Sequence, residues 1–321
     1  MKKLFETVDV VIIANTTVRD ENFFYVTRLP GMWEHSFAVV FPDRVEIIAP
    51  PLEEGAAHTY TNRREMEKLL KRMVDAERIG FNGECLPYNH FRYLKKLLGG
   101  KWIDVSRILS EQRAVKRKDE LHLIKKACRI SLRIVEQLYQ MDERMSEREL
   151  ATEIEHEMRK NNACPSFDTI VAYGIHTASP HHTPTNKRWV LPALIDLGAK
   201  YRGYSSDITR SFVERRGKKL HEIVENALHM AVDEMKSGVA ARSIYKLVED
   251  YFGRYGYRMR HALGHSIGIN VHDGFSITRN ADFVLQENMV FAIEPAVYLK
   301  RYGIRIEEDV VVGKNTSTII R

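Results

Sequence analysis

Three acidic residues of this 321-residue chain lie inside apolar, β-branched segments. Asp196 lies between isoleucine and leucine, Glu294 follows Phe-Ala-Ile, and Glu307 follows Ile-Arg-Ile. Such segments favour buried β-strands. A buried carboxylate is costly unless something compensates its charge. The fold must therefore bring compensating groups to these strands.

A fourth acidic residue, Asp207, follows Asp196 by eleven positions. The intervening Tyr201-Arg-Gly-Tyr204 is a plausible hairpin turn. A turn centred between Tyr201 and Arg202 would place the two aspartates opposite each other or nearly so. Facing residues on paired strands have Cβ atoms about 5 Å apart. We therefore predict a facing acidic pair on one hairpin.

The other two acidic residues predict a second hairpin of the same kind. Glu294 and Glu307 are thirteen positions apart, and the same count centres on Lys300 and Arg301. Four converging carboxylates repel one another, and one or two divalent cations are the usual resolution. Arg305 is an alternative partner for one carboxylate.

A histidine completes the predicted site. His265 lies in the glycine-punctuated segment His261–Gly268, which lets the imidazole approach a crowded site. One imidazole with four carboxylates is an oxygen-rich set that suits manganese, cobalt, iron or zinc in an open catalytic site. The sequence therefore predicts a catalytic metal centre.

Composition excludes several other classes of protein. The net charge is +6 and the pI is near 9.0, but the basic residues are spread along the chain, which argues against nucleic-acid binding. No apolar stretch approaches membrane-spanning length. Three scattered cysteines without a CxxC argue against disulfides and structural zinc and favour a cytoplasmic location. We expect no nucleic-acid and no membrane partner.

The first half of the chain has the pattern of an α/β domain. Apolar runs predict strands and one periodic segment predicts a helix; these are Val8–Ile13, Phe37–Phe41, Val45–Ile48 and Asn62–Glu77. We assign this domain to residues 1–105. The polar, basic segment 106–118 is predicted to be a linker. No glycine-rich phosphate loop is present.

The second domain is predicted to be α+β and to span residues 119–321. A long helix follows the linker, and Ser146-Glu-Arg-Glu149 fits a capping box. Runs of helices and adjacent strands indicate an antiparallel α+β domain. The expected elements are helices near Leu220–Met235 and Ser243–Phe252 and strands at Leu194–Leu197, Ile208–Val213, Met289–Leu299 and Ile304–Val312.

These motifs resemble those of the pita-bread metallopeptidases, which include Xaa-Pro dipeptidases (prolidases), Xaa-Pro aminopeptidases and methionine aminopeptidases. The resemblance rests on Asp196-Leu-Gly, Ser206-Asp-Ile-Thr-Arg, His261-Ala-Leu-Gly-His, Ile293-Glu-Pro and Arg305-Ile-Glu. Asn22-Phe-Phe-Tyr-Val-Thr-Arg-Leu and the Arg113 to Glu120 segment resemble the creatinase/prolidase N-terminal domain more loosely. The resemblance implies a pita-bread catalytic domain and favours the prolidase branch.

The resemblance also implies a ligand set. Asp207 and Glu307 would bridge two divalent ions, Asp196 would complete one ion's ligands, and His265 and Glu294 the other's. Manganese or cobalt is the expected metal, with zinc or iron as alternatives.

The remaining catalytic residues are likewise implied by the resemblance. Glu294 would handle the proton of the attacking water. His181 and His272 match histidines that donate to the substrate carbonyl or the developing oxyanion. His182, next to His181, is an alternative for that position.

Two positions depart from the family pattern. Ala296 replaces the usual glycine after Glu-Pro. In the family, an arginine commonly follows the position of His272 and holds a dipeptide's carboxylate. That arginine is absent here, which argues against strict dipeptidase activity. Arg279 or a basic residue of the N-terminal domain could replace it.

The sequence therefore predicts an exopeptidase that cleaves the N-terminal Xaa-Pro bond of short proline-containing peptides. Prolidase-like enzymes are commonly dimers, so we expect a homodimer. The alternatives are an aminopeptidase of other specificity, such as methionine removal, and a non-catalytic peptide-binding module of the same fold.

Overall fold

The computed structural model describes residues 2–138 and 145–321. The chain divides into two compact units, Met1–Arg113 and Ala114–Arg321. The segment 106–118, expected to be a linker, contains the helix Ser106–Ala114. Its Leu109 is 1% exposed and belongs to the apolar core of the first unit. One apolar face thus anchors a segment whose composition is otherwise polar.

The first unit is α/β and contains a mixed sheet of strand order β4-β3-β2-β1-β5-β6. Its strands are β1 (Val10–Asn15), β2 (Ser36–Val40), β3 (Val45–Ala49), β4 (His58–Thr59), β5 (Arg78–Phe81) and β6 (Lys101–Asp104). Its helices are α1 (Lys2–Thr7), α2 (Glu21–Thr27), α3 (Arg63–Met73), α4 (Tyr88–Leu98) and α5 (Ser106–Ala114).

Strand β1 is buried along its whole length. Val11 and Ile13 pack into one apolar core and Val10 and Ile12 into another, so both faces of the strand are covered. A strand buried on both faces reads as a continuous apolar run rather than an alternating one. The predicted strand begins two residues later than expected, because the first residues form helix α1.

The second unit combines helices with small antiparallel sheets, as expected for an α+β domain. Its helices are α6 (Lys118–Leu138), α7 (Glu147–Lys160), α8 (Lys218–Glu234) and α9 (Ala241–Gly253), with 3-10 turns at Gly174–Ala178 and Arg215–Gly217. Its strands are β7 (Cys164–Pro165), β8 (Ile170–Tyr173), β9 (Ala193–Leu197), β10 (Ala199–Tyr201), β11 (Tyr204–Ser205), β12 (Ile208–Phe212), β13 (Gly264–Ser266), β14 (Ser276–Ile277), β15 (Val290–Ile293), β16 (Ala296–Tyr298), β17 (Gly303–Arg305), β18 (Glu308–Val311) and β19 (Thr318–Ile319).

The capping box predicted at the start of α7 is confirmed. The Ser146 hydroxyl accepts a hydrogen bond from the Glu149 amide at 3.3 Å, and the Glu149 carboxylate accepts one from the Ser146 amide at 2.7 Å. The two bonds satisfy amide donors that the first turn of a helix leaves free. They fix where α7 begins, and therefore where its first residue, Glu147, lies.

The two long strands expected near the C-terminus are each interrupted at an acidic residue. Glu294 lies between β15 and β16, and Glu307 lies between β17 and β18. Pro295, next to Glu294, has no amide to donate to a strand ladder. Both carboxylates therefore lie where one pair of strands ends and the next pair begins.

The predicted centre of the second hairpin is confirmed, and the predicted centre of the first is one residue away from the observed one. Ile293 faces Glu308 and Ala296 faces Arg305, so Glu294 and Glu307 are opposite. Asp196, however, faces Thr209 rather than Asp207.

The turn explains the shift in the first hairpin. Its central residues are Arg202 and Gly203, with φ of 48° and 87°. Two positive φ values are typical of a tight hairpin turn that matches strand twist, and glycine favours the second position. The centre therefore lies one residue beyond the expected one. Asp196 and Asp207 become diagonal neighbours on one face of the hairpin.

Within the described ranges, no helix combines the length and the apolar character needed to cross a membrane.

We expect Gly264→Ala to destabilise the second unit. Gly264 pairs with both Ile277 and Ile293, and an added Cβ would collide with the Ala292 carbonyl oxygen. Overpacking of this kind costs roughly 1–3 kcal/mol in the free energy of unfolding. Urea unfolding should show the loss. Gly253→Ala, at the end of α9 with no atom within 4 Å of its added Cβ, is the matched control and should be neutral or stabilising. Equal urea midpoints for both variants would contradict the prediction.

Candidate metal centre

Three carboxylates converge on one imidazole nitrogen in the second unit. The Nε2 atom of His265 lies 3.5 Å from Asp207 Oδ2, 3.8 Å from Glu294 Oε1 and 4.0 Å from Glu307 Oε1. These residues come from β13, from the segment before β12, and from the two breaks in the second hairpin. The fold thus assembles residues that are up to 100 positions apart in the sequence.

The hydrogen bonding of His265 leaves Nε2 available as a ligand. Its Nδ1 lies 2.9 Å from the Val271 carbonyl oxygen, so Nδ1 carries the proton and donates it. Burial lowers the pKa of His265 to about 3, so the ring is neutral at physiological pH. A neutral imidazole held through its other nitrogen is the form that binds metals.

Burial and mutual repulsion disfavour the charged forms of these carboxylates. Burial, and then the neighbouring carboxylates, raise the pKa values of Asp207 and Glu307 well above their usual range. Burial raises the pKa of Glu294 to about 8, although the Arg305 guanidinium opposes the shift. A divalent cation among these groups would favour their charged forms instead.

Asp196 lies next to this group but is held by a buried arginine. Arg305 Nη2 donates to Asp196 Oδ2 at 2.6 Å, and the same guanidinium donates to the Tyr298 hydroxyl at 2.6 Å. Asp196 is close enough to raise the pKa values of both Asp207 and Glu307. The expectation that Arg305 could pair with one of the carboxylates is confirmed.

The donor set fits divalent cations. Asp207, His265 and Glu307 each offer a ligand atom, and these atoms lie within 4.8 Å of one another. Asp196 Oδ1 and Asp207 Oδ1 are buried and have no hydrogen-bond partner in the part of the chain that the structure describes. A buried carboxylate oxygen without a donor is costly, and a cation would compensate it.

Two further residues position the acidic residues, one through a carboxylate and one through a backbone amide. The Thr209 hydroxyl donates to Glu307 Oε2 at 2.6 Å, and the Asp207 amide donates to Asp309 Oδ2 at 3.1 Å. Neither residue was predicted from the sequence to have a role in the site. Asp309 is a further acidic residue in an apolar strand, so its position in the sequence could have indicated it. Hydrogen bonds of this kind orient metal ligands.

The structure distinguishes the three histidines considered as catalytic groups. The His272 ring lies 4.0 Å from the His265 ring, centroid to centroid. Burial, followed by the influence of His181, lowers the pKa of His272. His181 thus lies close to His272, whereas the Nε2 of His182 is hydrogen-bonded to Glu147 Oε2 at 2.9 Å. His182 is therefore engaged with Glu147, which leaves His181 as the predicted catalytic histidine of the pair.

His261 also belongs to this site, although it was predicted only as part of a motif. Its Nδ1 lies 3.6 Å from Glu294 Oε2, and its ring packs 5.6 Å from that of Tyr298. Burial lowers the pKa of His261 to about 4. It is therefore a neutral imidazole beside Glu294.

Arg279, the candidate for a carboxylate-binding cation, is engaged elsewhere. Its guanidinium forms an ion pair with Glu249 on α9, and its side chain is 70% exposed. Arg279 would therefore have to leave Glu249 to bind the carboxylate of a substrate dipeptide.

Comparison with known proteins agrees with this arrangement. The sequence profile of metallopeptidase family M24 matches residues 122–314, and that of the creatinase/prolidase N-terminal domain matches residues 6–115. The chain belongs to metallopeptidase family M24. The resemblance to this family and the expected fold, a pita-bread domain preceded by a creatinase/prolidase-like domain, are confirmed.

Three similar proteins illustrate the relationship. A Xaa-Pro dipeptidase of Pyrococcus horikoshii is 31% identical over 99% of this chain and 95% of its own length. The structure of a prolidase from Pyrococcus furiosus has a TM-score of 0.89 and 30% identity, covering 100% of this chain and 98% of its own. That of an X-Pro aminopeptidase from Thermotoga maritima has a TM-score of 0.88 and 30% identity, covering 99% and 96%.

Proposed function

We propose that this family M24 protein is a metal-dependent exopeptidase that hydrolyses the N-terminal Xaa-Pro bond of short peptides. The convergence of Asp207, Glu294 and Glu307 on the neutral Nε2 of His265 carries the proposal. Similar proteins named as a Xaa-Pro dipeptidase and an X-Pro aminopeptidase support the substrate class. They do not favour methionine removal or a non-catalytic module.

Five residues would hold two divalent ions. These residues are Asp196, Asp207, His265, Glu294 and Glu307. We propose manganese or cobalt, because carboxylate oxygens dominate the set. Bound divalent ions would polarise the scissile carbonyl and lower the pKa of water.

The side chains around the ions would perform the proton transfers. Glu294 would accept a proton from the attacking water and deliver it to the leaving amine. His272 and His181 would donate hydrogen bonds to the substrate carbonyl as negative charge develops on its oxygen. The ring of His272 beside that of His265 supports its placement at the reacting bond.

Activity should require ions held by the carboxylates. Chelation should abolish turnover, and added Mn²⁺ or Co²⁺ should restore it. Asp207→Asn should lose both ions and activity, because Asp207 would ligate both. His272→Ala is the contrasting variant: it should keep its ions while losing roughly 100- to 10,000-fold in kcat. Elemental analysis beside steady-state rates would separate the two effects. Turnover by the metal-free protein, or loss of ions from His272→Ala, would refute these assignments.

The enzyme should accept tripeptides and longer Xaa-Pro peptides at least as well as dipeptides. Ser276 lies where related dipeptidases have an arginine, and Arg279 pairs with Glu249 instead. A missing charge-assisted contact to the dipeptide carboxylate costs about 1.5–3 kcal/mol, or roughly 10- to 150-fold in binding. The kcat/KM values for Ala-Pro and Ala-Pro-Ala would test this. A dipeptide preference of tenfold or more would overturn it and point to Arg279 as the replacement, with Arg279→Ala as the next variant.

We also propose that the protein is a homodimer in the cytoplasm. Met32 and Leu52 of the first unit are large apolar side chains that are 68% and 93% exposed, which suits a surface that another copy covers. The cysteines are unpaired, as a reducing compartment requires. Light scattering at micromolar concentration should give the mass of two chains. A fully active monomer would contradict the dimer.

A further inference from the structure

A second cluster of metal-ligating side chains lies outside the carboxylate centre. Glu147, in the first turn of α7, has a side chain with 0% exposure. His176 Nδ1 lies 2.7 Å from its Oε1, and His182 Nε2 lies 2.9 Å from its Oε2. From the sequence, Glu147 was predicted only as part of a capping box. Its histidine partners are 29 and 35 residues away, so no local pattern indicated them.

The Glu147 carboxylate is held in place without the two histidines. The Tyr173 amide donates to Oε1 at 2.8 Å, and the Thr185 amide and hydroxyl donate to Oε2 at 2.9 and 2.6 Å. Burial alone would raise the pKa of Glu147, but its hydrogen-bond donors outweigh burial and lower the pKa to about 2. The group is therefore a fixed, ionised carboxylate at neutral pH.

The two imidazoles are arranged as a pair. Their ring centroids are 4.3 Å apart with 34° between the planes, and the nearer nitrogen of each ring points to the same carboxylate. A neutral imidazole can carry its proton on the other nitrogen and present a lone pair here instead. The side chains of His176 and His182 are 30% and 13% exposed, which leaves a route from solvent.

We propose that Glu147, His176 and His182 form an additional binding site for a divalent transition metal ion such as Zn²⁺. All three residues offer ligand atoms within 4.8 Å of one another. Two imidazoles and one carboxylate are an established zinc ligand set, with a fourth position open to water. The site is separate from the carboxylate centre and shares no residue with it.

An ion would require the side chains to move apart. Ligand atoms about 2.0–2.2 Å from a tetrahedral ion lie roughly 3.3–3.5 Å from each other. The nitrogen-to-oxygen distances are now 2.7 and 2.9 Å, to different oxygens of Glu147, so both imidazoles would move outward to admit the ion. The ion would replace two N–H donors, while Tyr173 and Thr185 would continue to orient the carboxylate, as partners of metal ligands do.

The site lies on the segment that carries His181. An ion bound there would join α7 to both His176 and His182, the immediate neighbour of His181. Metal binding at this cluster would therefore restrain the backbone next to His181, which we propose to be a catalytic histidine.

Equilibrium dialysis against Zn²⁺, followed by elemental analysis, tests the proposal. The double variant His176→Gln/His182→Gln should hold one ion fewer per chain than the wild type. Glutamine keeps an N–H donor for Glu147 but is a poor ligand for Zn²⁺. His156→Gln is the matched control, because His156 is an exposed histidine on the same helix, and it should hold as many ions as the wild type.

The difference in the number of bound ions must also appear when the carboxylate centre has lost its own ions. Asp207→Asn should lose ions from that centre, yet it should still hold one ion more than Asp207→Asn combined with the two glutamine substitutions. Equal counts with and without the two histidines would overturn the proposal, whatever occupies the carboxylate centre. If circular dichroism shows that the double variant is unfolded, the single His176→Gln variant decides by the same count.

Discussion

Repulsion among buried carboxylates is the constraint on which the catalytic unit depends. Asp207 and Glu307 are 5% and 2% exposed, and neighbouring carboxylates add to the effect of burial on their pKa values. Arg305 compensates Asp196 through a 2.6 Å hydrogen bond. The remaining charge exceeds what one guanidinium can offset. Bound cations would compensate this remaining charge. The apolar strands can therefore carry buried acidic residues.

The sheets supply the precision that such a centre needs. Glu294 and Glu307 face each other at breaks between paired strands, where neighbouring ladders fix the backbone on both sides. Thr209 and Asp309 then hold one carboxylate and one backbone amide by hydrogen bonds. Ligands on strands are positioned more accurately than ligands on loops. The same arrangement keeps like charges close without letting them move apart.

The sequence predicted the composition of this centre better than its geometry. Counting outward from a turn worked for Glu294 and Glu307, but it failed by one residue for the aspartates, since Arg202 and Gly203 form the turn. Counting positions along the sequence does not show which residues of the turn adopt positive φ. The role of Glu147 was not predictable either, because its partners lie 26 to 38 positions away and meet it only through the fold.

The two clusters differ in a way that bears on which metals each would hold. The carboxylate centre offers one imidazole among several carboxylates, whereas the Glu147 cluster offers two imidazoles and one carboxylate. Oxygen-rich sets suit manganese, and imidazole suits zinc, copper and nickel. On our proposals, one chain would therefore separate metals by ligand type. Because His181 and His182 are adjacent, the segment between the two clusters would link occupancy of the nitrogen-rich site to the placement of a proton donor at the oxygen-rich one.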